Sequence, residues 1–132
     1  MGHIGMLPQR IREEGGYKIK GKTPGESQLL LEDAKAVENA GAFAVVLELV
    51  APKVADEITR SIQIPTIGIG SGKDCDGQIL VFHDLVGYSP WFIPKHVHPE
   101  AMVGDAISKA AAAFIAKVKG TSGNERERAG TP

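Results

Sequence analysis

Residues 43 to 49 read F-A-V-V-L-E-L, and this stretch decides the fold. Its length and its valine and leucine content predict a β-strand that is buried on both faces, as strands of parallel sheets are. Because side chains alternate along a strand, Glu48 is the one acid on the face with the smaller side chains. That face carries Ala44, Val46 and Glu48, and the opposite face carries Phe43, Val45, Leu47 and Leu49.

Helix and strand signals alternate on either side of this stretch. Thr23-Pro24-Gly25-Glu26 has the spacing of a capping box with proline at the first helical position, which predicts a helix to about Asn39. Pro52 opens a second helix, and residues 64–69 form a second apolar strand. Further along the chain we expect a strand over residues 78–83 and a helix over residues 99–119.

This alternation predicts an α/β fold with a parallel sheet and right-handed crossovers. Two architectures compete at a length of 132 residues. An open doubly wound sheet is usual at this size, whereas a complete (β/α)8 barrel needs about 200 residues or more, so the chain would supply only part of one. Residues 120–132 are polar and contain glycine, which predicts a disordered tail.

The composition limits the classes of function. With 42% hydrophobic residues, a net charge of −1 and scattered basic residues, the chain has no basic face for nucleic acid or membrane lipid. The single cysteine, Cys75, excludes an internal disulfide and a zinc site with several thiolates, and it suits a reducing cytoplasm. We expect neither a membrane span nor a signal sequence, because no apolar run approaches about 18 residues.

Glu48 is the leading candidate for catalysis. In a barrel, the smaller side chains of its face would fill the interior, so Glu48 would point inward at the carboxyl-terminal mouth, where such enzymes place their sites. Burial without a cationic partner makes a carboxylate more basic, so the position suits a general base. Alternatively, Glu48 ends the strand at the surface or pairs with a lysine such as Lys53.

A glycine-rich segment follows the second apolar strand. Residues 68–72 lack both the Gly-x-Gly-x-x-Gly and the Walker patterns, so a tight turn explains them at least as well as a phosphate loop does. Ser71, in this segment, has no adjacent histidine to activate it.

The four histidines are ambiguous. His96 and His98 form an H-x-H pair without a third ligand nearby, which favours a solvated loop over a metal site. His83 ends a predicted strand, where a structural hydrogen bond is the preferred interpretation. His3 lies between glycines that leave its imidazole room to meet a ligand.

Several short blocks of the sequence are distinctive. They are Met1-Gly2-His3-Ile4-Gly5, Pro8-Gln9, Gly15-Gly16-Tyr17-Lys18, Leu47-Glu48, Ile64-Pro65, Ile67-Gly68-Ile69-Gly70, Asp76-Gly77-Gln78-Ile79-Leu80-Val81 and His83-Asp84. In this order and at this spacing, the blocks resemble ketopantoate hydroxymethyltransferase, and the match covers residues 1–119. The joint pattern is far more specific than any one block.

The resemblance implies a (β/α)8 barrel enzyme that transfers a hydroxymethyl group from 5,10-methylenetetrahydrofolate to 3-methyl-2-oxobutanoate, giving 2-dehydropantoate in pantothenate biosynthesis. In that family a magnesium ion binds the oxo acid and acidifies its C3 hydrogen, and a glutamate removes that proton. The glutamate matches Glu48. The histidine of the M-G-H-I-G block matches His3, which the resemblance places in the lining of the active site. The resemblance also implies a homo-oligomer.

The resemblance is partial. Family members are longer, and their magnesium-binding carboxylates precede the M-G-H-I-G block, so residues 1–119 resemble the C-terminal half of the barrel, about strands five to eight, with no metal ligand of its own. Exposed sheet edges would then favour association with copies or with a missing N-terminal half. Two alternatives stay open: a noncatalytic half-barrel remnant or assembly partner, and another barrel lyase of the phosphoenolpyruvate-utilising type. His96-Val97-His98 replaces the family's usual Phe-x-Lys, which leaves the role of that loop open.

Overall fold

The computed structural model describes residues 1–89 and 91–128, and the chain divides into two compact units, Met1–Leu80 and Val81–Pro132. The first unit contains the sheet, and the second is helical where it has regular structure. The elements of the first unit are β1 (Gly2–Gly5), a 3₁₀ helix (Pro8–Arg10), α1 (Ile11–Glu14), α2 (Pro24–Asn39), β2 (Val45–Glu48), α3 (Pro52–Ser61), β3 (Thr66–Ile69) and β4 (Gly77–Gln78). Those of the second are α4 (Phe82–Leu85) and α5 (Val103–Arg128).

The four strands form one parallel sheet in the order β1-β2-β3-β4, so each strand pairs with the next one along the chain. Helices α2 and α3 both contribute to the apolar cluster that covers one face of this sheet. A doubly wound sheet instead reverses its strand order and carries helices on both faces. The predicted α/β fold with a parallel sheet is therefore confirmed, and the consecutive order is consistent with part of a barrel.

The amino end of α2 confirms the predicted capping box. The side chain of Thr23 accepts a hydrogen bond from the Glu26 amide at 3.3 Å, and the Glu26 carboxylate accepts one from the Lys22 amide at 2.9 Å. The first bond satisfies an amide that a helix start leaves without a partner, and the second falls on Lys22, one residue before the N-cap Thr23. The helix then buries Leu30 and Ala34 against the sheet.

The alternation predicted for β2 is confirmed inside the strand. Val45 and Leu47 are fully buried under the helices, and Val46 and Glu48 lie half-buried on the other face. Phe43 was expected on the helix-packed face, but it is 72% exposed. The strand begins only at Val45, so the alternation does not govern the orientation of Phe43.

The strand expected over residues 78–83 is wrong for most of its length. The ladder with β3 ends at the pairing of Gly68 with Gln78, and the Ile79 amide makes the last bond, to Gly68 O at 3.0 Å. Beyond that point the amides of Asp84 and Leu85 donate to Val81 O, which starts the helical turn α4. With so few ladder bonds, the apolar sequence alone does not keep the chain extended.

Helix α5 also differs from the expected 99–119. It begins at Val103 and continues to Arg128, so residues 120–128 of the expected disordered tail are helical, and residues 129–132 lie outside the described residues. The domain boundary at residue 119 stays a prediction. No helix in the described part of the chain, α5 included, is long and apolar enough to cross a membrane.

Burial in the core indicates which apolar side chains stabilise the first unit. Ile58 of α3 is fully buried, so Ile58→Ala should lower the free energy of unfolding by about 2–5 kcal/mol, as measured by urea denaturation. Leu29→Ala is the matched control, because Leu29 is exposed on α2, and it should change that free energy by about 0.5 kcal/mol or less. Equal losses in the two variants would contradict the assignment of the core.

Candidate active site

Two of the residues singled out in the sequence lie together on one face of the sheet. The β1–β2 register pairs Gly5 with Glu48 and His3 with Val46, which directs His3 and Glu48 to the same side. His3 Nε2 lies 2.9 Å from Glu48 Oε2, and the two side chains are 37% and 17% exposed. Glu48 is therefore paired with a histidine and not with Lys53, which is exposed on α3.

The pair joins one nitrogen of the imidazole to one carboxylate oxygen across neighbouring strands. At 2.9 Å the contact is an ion pair when the imidazole is protonated. A half-buried carboxylate beside a histidine suits a general base.

Apolar side chains surround the pair on the same face. The register places Val46 beside His3, Ile67 beside Val46, and Ile69 beside Glu48. All three apolar residues are half-buried. The candidate site therefore lies at the carboxyl end of a parallel sheet, on the face opposite the helices, where α/β enzymes place their ligands.

Gly5 permits the close approach of β1 to β2. Its φ is +97°, and a Cβ atom there would collide with the carbonyl oxygen of Glu48 and lie 2.8 Å from Val50 Cγ2. The Met6 amide, next in the chain, donates to that same carbonyl oxygen at 2.8 Å. The second glycine of the M-G-H-I-G block is thus required by the backbone beside Glu48.

The residue after Glu48 has an unusual backbone. Leu49 has a φ of +49°, in the left-handed region that bulky side chains rarely adopt, which costs about 1–3 kcal/mol. Its amide donates to Ile69 O at 2.9 Å, and its carbonyl oxygen accepts from the Lys20 amide at 2.8 Å. Nothing in the residue type of Leu49 signals this turn, so sequence reasoning missed it.

Ser71 is the second feature that the sequence did not reveal. Its side chain is fully buried, and its hydroxyl oxygen accepts from the Val50 amide at 3.0 Å and donates to Leu47 O at 2.7 Å. Gly72 packs closely on Pro52 with a φ of +86°, so the tight-turn interpretation of this segment is confirmed. The flanking glycines indicated a close backbone approach, but they did not indicate what the serine holds.

The other histidines belong to the second unit. The His83 ring packs edge-on against Tyr88, with ring centroids 5.1 Å apart, and against Phe82 at 6.0 Å, which is a packing role. His96 is half-buried and His98 is exposed. Among the residues whose side chains the structure describes, 1–89 and 91–120, no three histidine, cysteine or acidic side chains gather closely enough to hold a metal ion. These residues alone therefore do not fit a magnesium site, which needs several oxygen ligands.

Cys75 belongs to a polar network on the helix-facing side of β3. Asp76 Oδ2 accepts from the Thr66 amide at 2.8 Å and from its hydroxyl at 3.0 Å, and Thr59 Oγ1 lies 2.9 Å from Thr66 Oγ1. Burial raises the pKa of the Cys75 thiol, and the nearby carboxylates of Asp76 and Asp74 raise it further, against an opposing effect of hydrogen bonds from the threonines. The thiol is accordingly a structural group and not an activated nucleophile.

The raised pKa of Cys75 predicts slow alkylation. Only the thiolate reacts with iodoacetamide, so in the folded chain the rate should rise with pH through a midpoint above that of the urea-unfolded chain. The measurement is the rate of carbamidomethylation across a pH series, followed by mass spectrometry. A midpoint in the folded chain at or below that of the unfolded chain would contradict the prediction.

Comparison with known proteins agrees with the geometry. The family model described as ketopantoate hydroxymethyltransferase matches residues 1–122. The chain is 51% identical over 123 residues to the 3-methyl-2-oxobutanoate hydroxymethyltransferase of Geobacter metallireducens, covering 90% of this chain and 45% of that protein. It is 51% identical over 119 residues to the protein of that name from Carboxydothermus hydrogenoformans, with 90% and 43% covered. The Chlorobaculum parvum protein is 45% identical over 122 residues, with 92% and 44% covered. The chain thus spans less than half the length of these relatives.

Proposed function

The chain belongs to the ketopantoate hydroxymethyltransferase family, and on that premise we propose that it carries the proton-abstracting part of a hydroxymethyl transfer to 3-methyl-2-oxobutanoate. The product would be 2-dehydropantoate, in pantothenate biosynthesis. The observation that carries the proposal is the 2.9 Å contact between His3 Nε2 and Glu48 Oε2 on the face opposite the helices. Both residues come from the blocks that resemble the family.

Glu48 is the base in this proposal. Its Oε1 takes the proton from C3 of the oxo acid, and the electrons of the broken C–H bond form the C2–C3 double bond of an enolate. In this proposal His3, whose Nε2 lies 2.9 Å from Oε2, orients the carboxylate. The enolate carbon would then form the new carbon–carbon bond to the methylene carbon of the co-substrate as the C2 carbonyl re-forms. Both carbon–nitrogen bonds of that methylene carbon break, water supplies the hydroxyl oxygen, and tetrahydrofolate leaves.

Magnesium and 5,10-methylenetetrahydrofolate complete the proposed reaction. A bound divalent ion polarises the carbonyl group of an oxo acid and makes the adjacent C–H more acidic. Since the described side chains do not assemble a metal site, we propose that the magnesium ligands belong to a part of the enzyme other than residues 1–89 and 91–120. The proton abstraction proposed for Glu48 and His3 involves residues of this chain only.

We also propose that the enzyme works in the reducing cytoplasm.

We further propose that the chain corresponds to the C-terminal half of the barrel, about strands five to eight. The consecutive strand order and the coverage of only 43–45% of the relatives support a partial barrel. The choice of the C-terminal half rests on the resemblance, in which the magnesium-binding carboxylates precede the M-G-H-I-G block. In the described residues β1 pairs on one side only, with β2, and half-buried apolar side chains lie on the face that carries Glu48. An N-terminal half or a further copy would cover these surfaces.

A chimera tests the proposal. The portion of the Geobacter metallireducens protein that this chain does not match is fused ahead of residue 1. Loss of the C3 methine signal of 3-methyl-2-oxobutanoate in heavy water is followed by proton NMR with magnesium present. We expect enzyme-dependent exchange that falls by about 100-fold or more in Glu48→Gln, because general-base catalysis contributes about that much.

Glu57→Gln is the matched control, because Glu57 is an exposed acid on α3. It removes one carboxylate from the same unit and should leave the exchange rate unchanged. If a folded chimera shows no exchange, or exchanges equally fast with Glu48→Gln, the assignment of Glu48 as base is wrong.

The second candidate function is a noncatalytic assembly partner. The observation that favours it is that the described residues bring no metal-binding cluster together while leaving large apolar side chains such as Phe43 exposed. Both candidates predict self-association, since an exposed sheet edge and apolar face favour a partner. Light scattering should give a mass that is a multiple of 14.0 kDa. A well-folded monomer would contradict the predicted association, and only the exchange experiment separates the two functions.

A further inference from the structure

We propose that Ser71 is a positioning residue that holds Glu48 in place, an inference that rests on the proposed role of Glu48 as base. Ser71 would not touch the substrate. Its side chain is fully buried, and its hydroxyl hydrogen is directed at Leu47 O, so it is not available as a nucleophile. It would act through the backbone of β2.

The hydroxyl of Ser71 makes two backbone hydrogen bonds, one on each side of Glu48, and we call this pair of bonds the Ser71 bracket. It donates to the carbonyl oxygen of Leu47, the residue before Glu48, and it accepts from the amide of Val50, two residues after Glu48. One side chain therefore closes a ring around the Glu48-Leu49 segment. Because both bonded groups are backbone atoms, the contact constrains the direction in which the Glu48 side chain leaves the strand.

The left-handed turn at Leu49 explains why such a bracket is needed. The Leu49 amide donates to Ile69 O, so an unbroken parallel ladder would direct the Leu49 carbonyl at the amide of Ser71. The turn instead directs that carbonyl to the amide of Lys20. The side chain of Ser71 bonds to the backbone on both sides of the turn. These two bonds offset the conformational energy cost of a leucine at a φ of +49°.

Because the site is buried, water cannot take over the hydrogen bonds of the Ser71 hydroxyl. Val50 and Ser71 are both fully buried, so water does not reach the Val50 amide when the hydroxyl is removed. A buried amide without a partner is costly, and the simplest relief is a shift of the Leu49-Val50 segment. Such a shift moves Glu48 relative to His3, because His3 is held by a different strand.

The first test uses the chain itself. Ser71→Ala should change the nitrogen-15 shift of His3 Nε2 and speed hydrogen exchange at the Val50 amide beyond what its loss of global stability explains. Thr66→Val is the matched control, because it removes another buried hydroxyl of the sheet, one bonded to Asp76 and Thr59 on the helix-facing side. It should lower global stability and leave the His3 signal unchanged.

The second test uses the chimera and the exchange assay at C3. Ser71→Ala should lower kcat about tenfold and leave KM unchanged, because a small misplacement of a base reduces turnover without removing a substrate contact. Glycine adopts a positive φ without strain. In a Leu49→Gly background, therefore, the same Ser71→Ala change should lower kcat by less than about twofold, and this non-additivity links the serine to the turn.

The outcomes separate this inference from the proposed function. If Glu48→Gln abolishes exchange while Ser71→Ala keeps the full kcat, the positioning role is wrong and the base assignment stands. If Glu48→Gln exchanges normally, the proposed function fails. The His3 signal then decides whether Ser71 sets the position of Glu48: an unchanged signal in Ser71→Ala overturns the inference, and a change confined to that variant supports it.

Discussion

The parallel pairing of β1 with β2 is the constraint on which the candidate site depends. Gly5 lies against the backbone of Glu48 without a side chain between them, and the Met6 amide binds the Glu48 carbonyl oxygen. This close approach fixes the register, and the register places His3 on the same face as Glu48. A slip of one residue would direct one of the two side chains to the helix side and separate the pair.

The two faces of the sheet carry different kinds of side chain, because successive side chains along a strand point to opposite faces. The helix-facing side buries Val45 and Leu47 and gives the sheet its stability. The opposite side carries His3, Glu48 and half-buried apolar residues, whose incomplete burial contributes less to stability. The chain passes from the sheet to the helix-covered side just after β2, because the turn at Leu49 is followed by α3, which begins at Pro52.

The sequence predicted the features that follow from periodicity and from residue type. The helix start at Thr23 and the alternation in β2, which places Glu48 on the face opposite the helices, depend on local patterns, and the structure confirms them. The left-handed turn at Leu49 and the bonds of Ser71 depend on contacts between segments distant in sequence, for which no local pattern exists. The end of β4 was misjudged because an apolar run does not reveal how many ladder bonds support it.

The consecutive strand order has a consequence for the order of folding. Closing a longer loop costs more entropy, and the segment between β1 and β2, which contains α2, is the longest of the three connections in the sheet. The β3–β4 and β2–β3 ladders can therefore form from short loops before β1 docks. Since His3 reaches Glu48 only when β1 is in place, the sheet can be largely assembled while its candidate catalytic pair is still apart.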